Sequence, residues 1–269
     1  DLPMAMGILG AMGTVTNGKP ILLAGELALD GMLRPVRGAL PMAILARDRG
    51  IETVLLPMEN AIEASVVDGV RVYGLKHLSE VVAYFHNPAR FQPVQPLLPN
   101  LADHDSMEPD FCDVRGQTIA KRALEVAAAG GHNVLMIGPP GSGKTMLAKR
   151  FPGILPPITF PEALETTKIY SISGRLGREN AFITHRPFRA PHHTISDAGL
   201  IGGGIGVPKP GEVSFSHNGV LFLDELPEFP RSVLELLRQP LEDAEVVLAR
   251  SQLTLRFPSR FSLIAAMNP

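Results

Sequence analysis

The sequence predicts an α/β protein: a small mixed α/β unit over residues 1–87, a proline-rich linker over 88–110, and a core of parallel strands with flanking helices over 111–269. Three observations predict it. Short apolar runs alternate with stretches of helical apolar spacing, the pattern of strands joined through helices. Pro88, Pro93, Pro96, Pro99 and Pro109 crowd one stretch and block regular structure there. In the last part, the apolar runs NVLMI, GVLFL and FSLIAAM each lead into polar residues of the kind that phosphate chemistry needs. A chain of 269 residues also exceeds the usual size of one domain.

In chain order, residues 3–12 (PMAMGILGAM) read as a short apolar helix, and ILLAGELALDGMLRPV (21–36) as two strands around Asp30-Gly31, a strong hairpin signal. GALPMAILARDRG (38–50) has helical spacing and ends on Gly50, suited to the left-handed position after a helix. TVLLP (53–57) is a buried strand. A helix from about Glu59, a strand GVRVYG and a helix from Leu78 to Phe85 complete the unit. Beyond the linker, DVRGQTIAKRALEVAAAGGHN (113–133) is a helix with Ile119, Ala123, Val126 and Ala127 on its apolar face. Val134–Ile137 is a buried strand. PRSVLELLRQPL (230–241) places Val233, Leu234, Leu237 and Leu241 in the core, and EVVLAR with SQLTLRF (245–257) forms a hairpin with Arg250 near its tip.

Composition limits the class. Hydrophobic residues make up 45% and charged residues 19%, and no apolar run approaches the ~20 residues of a membrane span, so no membrane partner is expected. A single cysteine excludes an internal disulfide; a reducing cytoplasm fits, with Cys112 a small buried or linker residue. The net charge of −2 makes no general case for nucleic acid, so such contacts need a local patch. Asp1 at one end, and Pro269 directly after a strand pattern at the other, read as cuts from a longer protein.

The chemistry concentrates at Gly138-Pro139-Pro140-Gly141-Ser142-Gly143-Lys144-Thr145, a full Gly-x-x-x-x-Gly-Lys-Thr match between a strand and a helix. A nucleoside triphosphate needs backbone N–H groups turned inward without Cβ atoms in the way, which the glycines permit. Lys144 is expected to reach the β/γ-phosphates and Thr145 to hold Mg²⁺, while Met146 continues a helix whose N-terminal dipole faces the phosphates. ATP and Mg²⁺ are the expected cofactors. In GVLFLDE (219–225), Asp224 would hold Mg²⁺ at the carboxyl end of a strand and Glu225 would orient and activate the attacking water. Adjacent acids after a strand also cap helices; the phosphate loop upstream favours the chemical role. Asn268 ends a third strand.

Asp113-Val114-Arg115-Gly116-Gln117 resembles the adenine-side motif of AAA+ ATPases, in which the main chain around Val114 would contact the base. Asn268 stands at the place of the AAA+ sensor 1, which helps position the water. RPFRAPHHTISDAGLIGGG (186–204), PGEVSFSHNGVLFLDELPEFPRSVLELLRQPLE (210–242) and AAMNP (265–269) resemble the YifB/ComM group of magnesium-chelatase-like AAA+ proteins. The resemblance covers nearly the whole chain. It implies an AAA+ P-loop NTPase core working as a homo-oligomeric, hexameric ring that hydrolyses ATP and remodels DNA by branch migration. It leaves a chelatase-type motor subunit and a nucleotide-binding scaffold as alternatives. It also implies an arginine finger from the next subunit and a sensor-2 arginine, both C-terminal to sensor 1.

GELALDGMLRPVRGALPMAILARDRGIETVLLPMEN (25–60) resembles the ribosomal-S5-like domain that Lon proteases share with magnesium-chelatase-like proteins, here a partial copy. Met4 stands where Lon places its serine, and Leu40 and Met42 stand in the lysine-bearing stretch. None of the three can act as nucleophile or base, so a structural or interaction role is expected.

From Lys168 to Arg189, five basic residues (Lys168, Arg175, Arg178, Arg186, Arg189) face one acid, Glu179, a local charge of +4. The resemblance puts this segment at a pore-facing insert. Arg186 and Arg189, with Arg250, are the candidate phosphate contacts and Phe188 the candidate stacking residue for DNA. A solvated charged loop with one packed Phe accounts for the same residues. His192 and His193, with His185 and His217, lack the spacing of a zinc site.

Overall fold

The structure is a computed structural model describing residues 1–16, 18–96, 109–176, 181–204, 206–249 and 253–269. The chain divides into two compact units, Asp1–Pro99 with Tyr170–Phe182, and Asn100–Ile169 with Ile183–Pro269. No helix among the described residues is long and apolar enough to cross a membrane.

The first unit begins with α1 (Leu2–Ala11), which has Pro3 in its first turn, where a missing N–H leaves no helix bond broken. Leu2 and Met6 are buried, whereas Met4 is exposed. β1 (Leu22–Leu23) follows, then the hairpin of β2 (Glu26–Leu27) and β3 (Leu33–Arg34), whose turn Asp30 fixes by accepting the Met32 N–H at 3.0 Å. Next come α2 (Ala39–Asp48), β4 (Thr53–Pro57), α3 (Met58–Ser65), β5 (Arg71–Leu75) and α4 (Leu78–His86). The sheet runs β1-β4-β5, all parallel, with β4 in the middle and buried from Val54 to Pro57, as its unbroken apolar run requires. Leu40, at a Lon-like lysine position, is fully buried on α2. The Asn60 side-chain amide closes a two-bond pair with the Val36 backbone at 2.8 Å each way and also donates to Glu63.

Two boundaries differ from those expected. The linker's first residues belong to the first unit: Pro88–Arg90 form a 3₁₀ turn, the Phe91 ring lies 5.6 Å from that of Tyr84, and the Val94 N–H donates to Val72 O at 2.8 Å. Proline density signals stiffness but says nothing of an aromatic anchor beside it. Residues 97–108 lie outside those described. Tyr170–Phe182, expected within the second part, joins the first unit, where the Gly38 N–H donates to Ser171 O at 3.1 Å.

The second unit opens with a 3₁₀ turn at Phe111–Asp113, in which Cys112 is exposed rather than buried. α5 (Thr118–Gly130) follows, five residues later than expected, because Gly116 and Gln117 are both left-handed, with φ +69° and +55°. Its buried residues are Leu124, Ala127 and Ala128, while Ile119 and Val126 are 87% and 51% exposed, so the expected apolar face is corrected by part of a turn. β6 (Val134–Ile137), α6 (Lys144–Arg150), α7 (Phe160–Ser173, which belongs to this unit as far as Ile169), β7 (Phe188–Arg189), α8 (Asp197–Leu200), the short hairpin of β8 (Gly202–Gly203) and β9 (Lys209–Pro210), α9 (Glu212–Phe215) and β10 (Gly219–Leu223) come next. The chain closes with α10 (Arg231–Leu236), α11 (Arg238–Asp243), the hairpin of β11 (Glu245–Ala249) and β12 (Thr254–Pro258), and β13 (Phe261–Met267). The expected single helix over 230–241 is thus two, since Pro240 has no N–H to bond the carbonyl of Leu236. Leu241 is exposed, whereas Val233 and Leu237 are core.

The central sheet runs β6-β13-β10-β7, every pair parallel. Period-two alternation sorts its side chains. Val220, Phe222, Ile264 and Ala266 pack with Leu124, Ala127, Leu147 and Phe151, whereas Leu221, Leu223 and Ala265 pack with Leu200, Val213, Val233, Val246 and Phe257. β6, expected buried, is an edge strand with Leu135 and Ile137 51% and 61% exposed.

Gly219 starts β10 where the β7 side comes closest: a Cβ there would lie 2.1 Å from Pro187 O and 2.7 Å from Pro187 N. Backbone cannot swing aside as a side chain can. Gly219→Ala is therefore expected to destabilise the second unit by about 3 kcal/mol, read as a lower urea midpoint. An unchanged midpoint would contradict the close approach.

Candidate nucleotide site

Because the four central strands are parallel, their carboxyl ends share one edge, the edge at which open α/β sheets hold ligands. The register sets Ile137 beside Met267 and Leu223 beside Ala265, so the residues that follow each strand emerge together. β6 delivers the chain into Gly138, whose N–H donates to Met267 O at 3.2 Å. The loop then turns through Gly141 and Gly143 at φ +75° and +85°, conformations that favour glycine, and α6 begins at Lys144. Pro139 and Pro140 are exposed on the loop, and Met146 is 37% exposed on the first turn of α6. From the other side, Gln117 Nε2 donates to Ser142 O at 2.6 Å and ties the start of α5 to the loop.

Lys144 Nζ donates to Gly138 O at 2.6 Å, to Pro139 O at 3.0 Å and to Asn268 Oδ1 at 3.2 Å. The ammonium is thereby held at the loop's centre, and the third strand's polar residue is within its reach. Thr145 Oγ1 donates to Asp224 Oδ2 at 2.7 Å, and Asp224 Oδ1 accepts the Glu225 N–H at 3.0 Å. Glu225 has φ +53°, an unfavourable left-handed conformation for a non-glycine residue, worth on the order of 1 kcal/mol of strain. A cavity of about 380 Å³ opens here, lined among others by Thr145, Lys149, His192, His193, Asp224 and Glu225. A hydroxyl and a carboxylate side by side are hard oxygen donors, the set Mg²⁺ takes.

Val114 is 3% exposed in the core. Its N–H donates to Phe111 O and its carbonyl accepts from Lys121 Nζ, so it offers a base chiefly the second lone pair of that carbonyl.

The expected DNA contacts among the described residues are each engaged within the second unit. Arg186 is only 14% exposed: Nε donates to Pro156 O at 2.5 Å, Nη1 to Asn218 O at 2.7 Å, and Nη2 reaches Pro157 O at 3.3 Å and Glu162 at 3.2 Å. Phe188 is a residue of β7 stacked on Phe222, with ring centroids 6.0 Å apart. Arg189 Nε pairs with Glu212 at 2.5 Å and its guanidinium lies 5.9 Å from the centroid of the Phe215 ring. These side chains build the second unit rather than a basic surface. Arg250, like Arg178 and Glu179, lies outside the described residues. Burial raises the Glu162 carboxyl, but hydrogen bonds from Thr159 and the neighbouring Arg186 outweigh it and hold the group below its ordinary value. Arg186→Ala would leave part-buried carbonyls without a donor, and it is expected to lower stability by about 2 kcal/mol in urea unfolding. A neutral result would return Arg186 to the list of surface charges.

One contact was not foreseen: His193 Nδ1 lies 3.6 Å from Glu225 Oε2. The signal available in the sequence was position, since His192 and His193 closely follow the strand that pairs with the acid-bearing one.

A parallel sheet whose strands end in a phosphate-type loop, an acid pair and an Asn defines an α/β P-loop protein of the AAA+ type. Residues 110–269 match the family described as "Magnesium chelatase, subunit ChlI", and residues 1–60 match "Subunit ChlI of Mg-chelatase". Across its full length the chain is 46% identical to Competence protein ComM of Haemophilus influenzae, covering 53% of that protein, and 44% identical to the uncharacterized protein YifB of Salmonella typhimurium, covering 52% of it. The chain belongs to the magnesium-chelatase-like family, in the group that holds YifB and ComM. It spans about half the length of these curated relatives. A stretch of 83 residues is also 32% identical to Lon protease 2 of Bacillus subtilis, covering 30% of this chain and 15% of that protein.

Proposed function

We propose that this chain carries the ATP-binding and ATP-hydrolysing core of a ring-forming motor that remodels DNA. The observation that supports it most is the meeting of Lys144, Thr145, Asp224 and Asn268 at one sheet edge through contacts of 3.2 Å or less. In this reading the loop from Gly138 to Thr145 receives the phosphates on its N–H groups, with Met146 in the helical turn behind it. Lys144 exchanges its carbonyl partners for β/γ-oxygens. Thr145 and Asp224 would hold Mg²⁺, which when bound neutralises charge on the phosphates. Glu225 accepts the proton of the attacking water, and Asn268 orients that water. Hydrolysis is completed by an arginine from a neighbouring copy, which makes the working form a homo-oligomer, and the resemblance to the YifB/ComM group makes that a hexameric ring.

The DNA part rests on what the resemblance to the YifB/ComM group implies rather than on Arg186, Phe188 or Arg189, which are engaged within the second unit. The family match also supports a second reading, a motor subunit of a magnesium-chelatase-type complex. ATP hydrolysis by the full-length protein with and without branched DNA separates the two. Stimulation by DNA is expected, and hydrolysis indifferent to DNA favours the second reading.

A further inference from the structure

We infer that His193 is the positioning residue for Glu225, holding one oxygen of its carboxylate so that the other is aimed at the attacking water; this rests on the proposed role of Glu225. β7 and β10 are parallel neighbours, with Arg189 beside Leu221, so the residues just past each strand leave the sheet at the same edge. His193 Nδ1 and Glu225 Oε2 face each other across 3.6 Å in the same cavity as Thr145 and Asp224.

The two partners are unequally fixed. The His193 side chain is 28% exposed and that of Glu225 is 59% exposed. The His193 ring lies 4.0 Å from that of His192 and edge-on to Phe229 at 6.3 Å, and Phe229 is buried in the core. His192 Nδ1 is in turn 3.0 Å from Thr194 Oγ1. The backbone of Glu225 fixes where its side chain starts but not where it points. Among the described residues, the Glu225 carboxylate is paired with His193. At 3.6 Å the contact is longer than a hydrogen bond, and a small rotation of the exposed Glu225 side chain closes it. A base held this way spends less time misaligned, and misplacement of about 1 Å costs on the order of 10²-fold in rate.

The test uses full-length protein, ATP turnover and binding of a fluorescent ATP analogue. His193→Leu keeps apolar packing against Phe229 but removes the donor; His193→Asn keeps an N–H near the place of Nδ1. For His193→Leu, kcat is expected to fall about tenfold or more, with KM and analogue affinity little changed, while His193→Asn recovers most of the loss. Adding His193→Leu to Glu225→Gln should cause no further loss. An unchanged kcat in His193→Leu, an Asn variant as slow as the Leu variant, or an equal fall in analogue affinity would each overturn the positioning role. Should Glu225→Gln itself turn over ATP normally, the proposed function fails at Glu225; should Glu225→Gln be inactive and His193→Leu normal, only this inference fails.

Discussion

Full-length protein carrying Glu225→Gln is expected to bind ATP and turn it over about 10²–10⁴-fold more slowly than the wild type. The amide keeps the size of the side chain and can still hydrogen-bond, yet it cannot take the proton of the attacking water. Little else is disturbed: the Glu225 side chain is largely exposed, and its N–H remains bonded to Asp224 Oδ1 at 3.0 Å. The check is steady-state hydrolysis beside analogue binding on the same preparation. Wild-type turnover would move the catalytic base elsewhere.

Lys144→Ala acts one step earlier, on binding. Nζ donates to Gly138 O, Pro139 O and Asn268 Oδ1, so the chain already places a cation where the phosphates would come. Charge-assisted contacts of this kind are worth roughly 1.5–3 kcal/mol, so at least about tenfold in ATP affinity is expected to go. The fold should survive, because Lys144 is only half-buried and water can reach the carbonyls it leaves. Undiminished affinity in a folded variant would remove the phosphate role from the loop.

The parts legible in the sequence are those governed by short-range rules. The strand cores of β10 and β13 were readable as apolar runs, and their parallel stacking follows from helices lying between them in the chain. The phosphate loop was readable because glycine, lysine and threonine are each demanded by a different part of the ligand. What escaped depends on distant partners. Five basic residues between Lys168 and Arg189 counted as surface charge, but the guanidinium of Arg186 is taken up by carbonyls of Pro156, Pro157 and Asn218, and no charge count registers a carbonyl. The apolar face of α5 was misplaced because Ile119 and Val126 fit a helical stripe as well as Leu124 does, and only the packed sheet decides which is buried. Tyr170–Phe182 joins a unit whose other residues end far earlier in the chain, and local periodicity is blind to that. The pairing of His193 with Glu225 is invisible in the sequence, because the two neighbours in space are remote along the chain.

The most direct test of the central claim is an experimental structure of the full-length protein with Mg²⁺ and a non-hydrolysable ATP analogue. The expected structure has the β- and γ-phosphates inside the loop from Gly138 to Thr145, Lys144 Nζ drawn from Gly138 O onto phosphate oxygens, and Mg²⁺ beside Thr145 and Asp224 with Glu225 facing the γ-phosphate. A nucleotide bound away from this loop, or Asp224 and Glu225 turned from its phosphates in every copy of the ring, would contradict it.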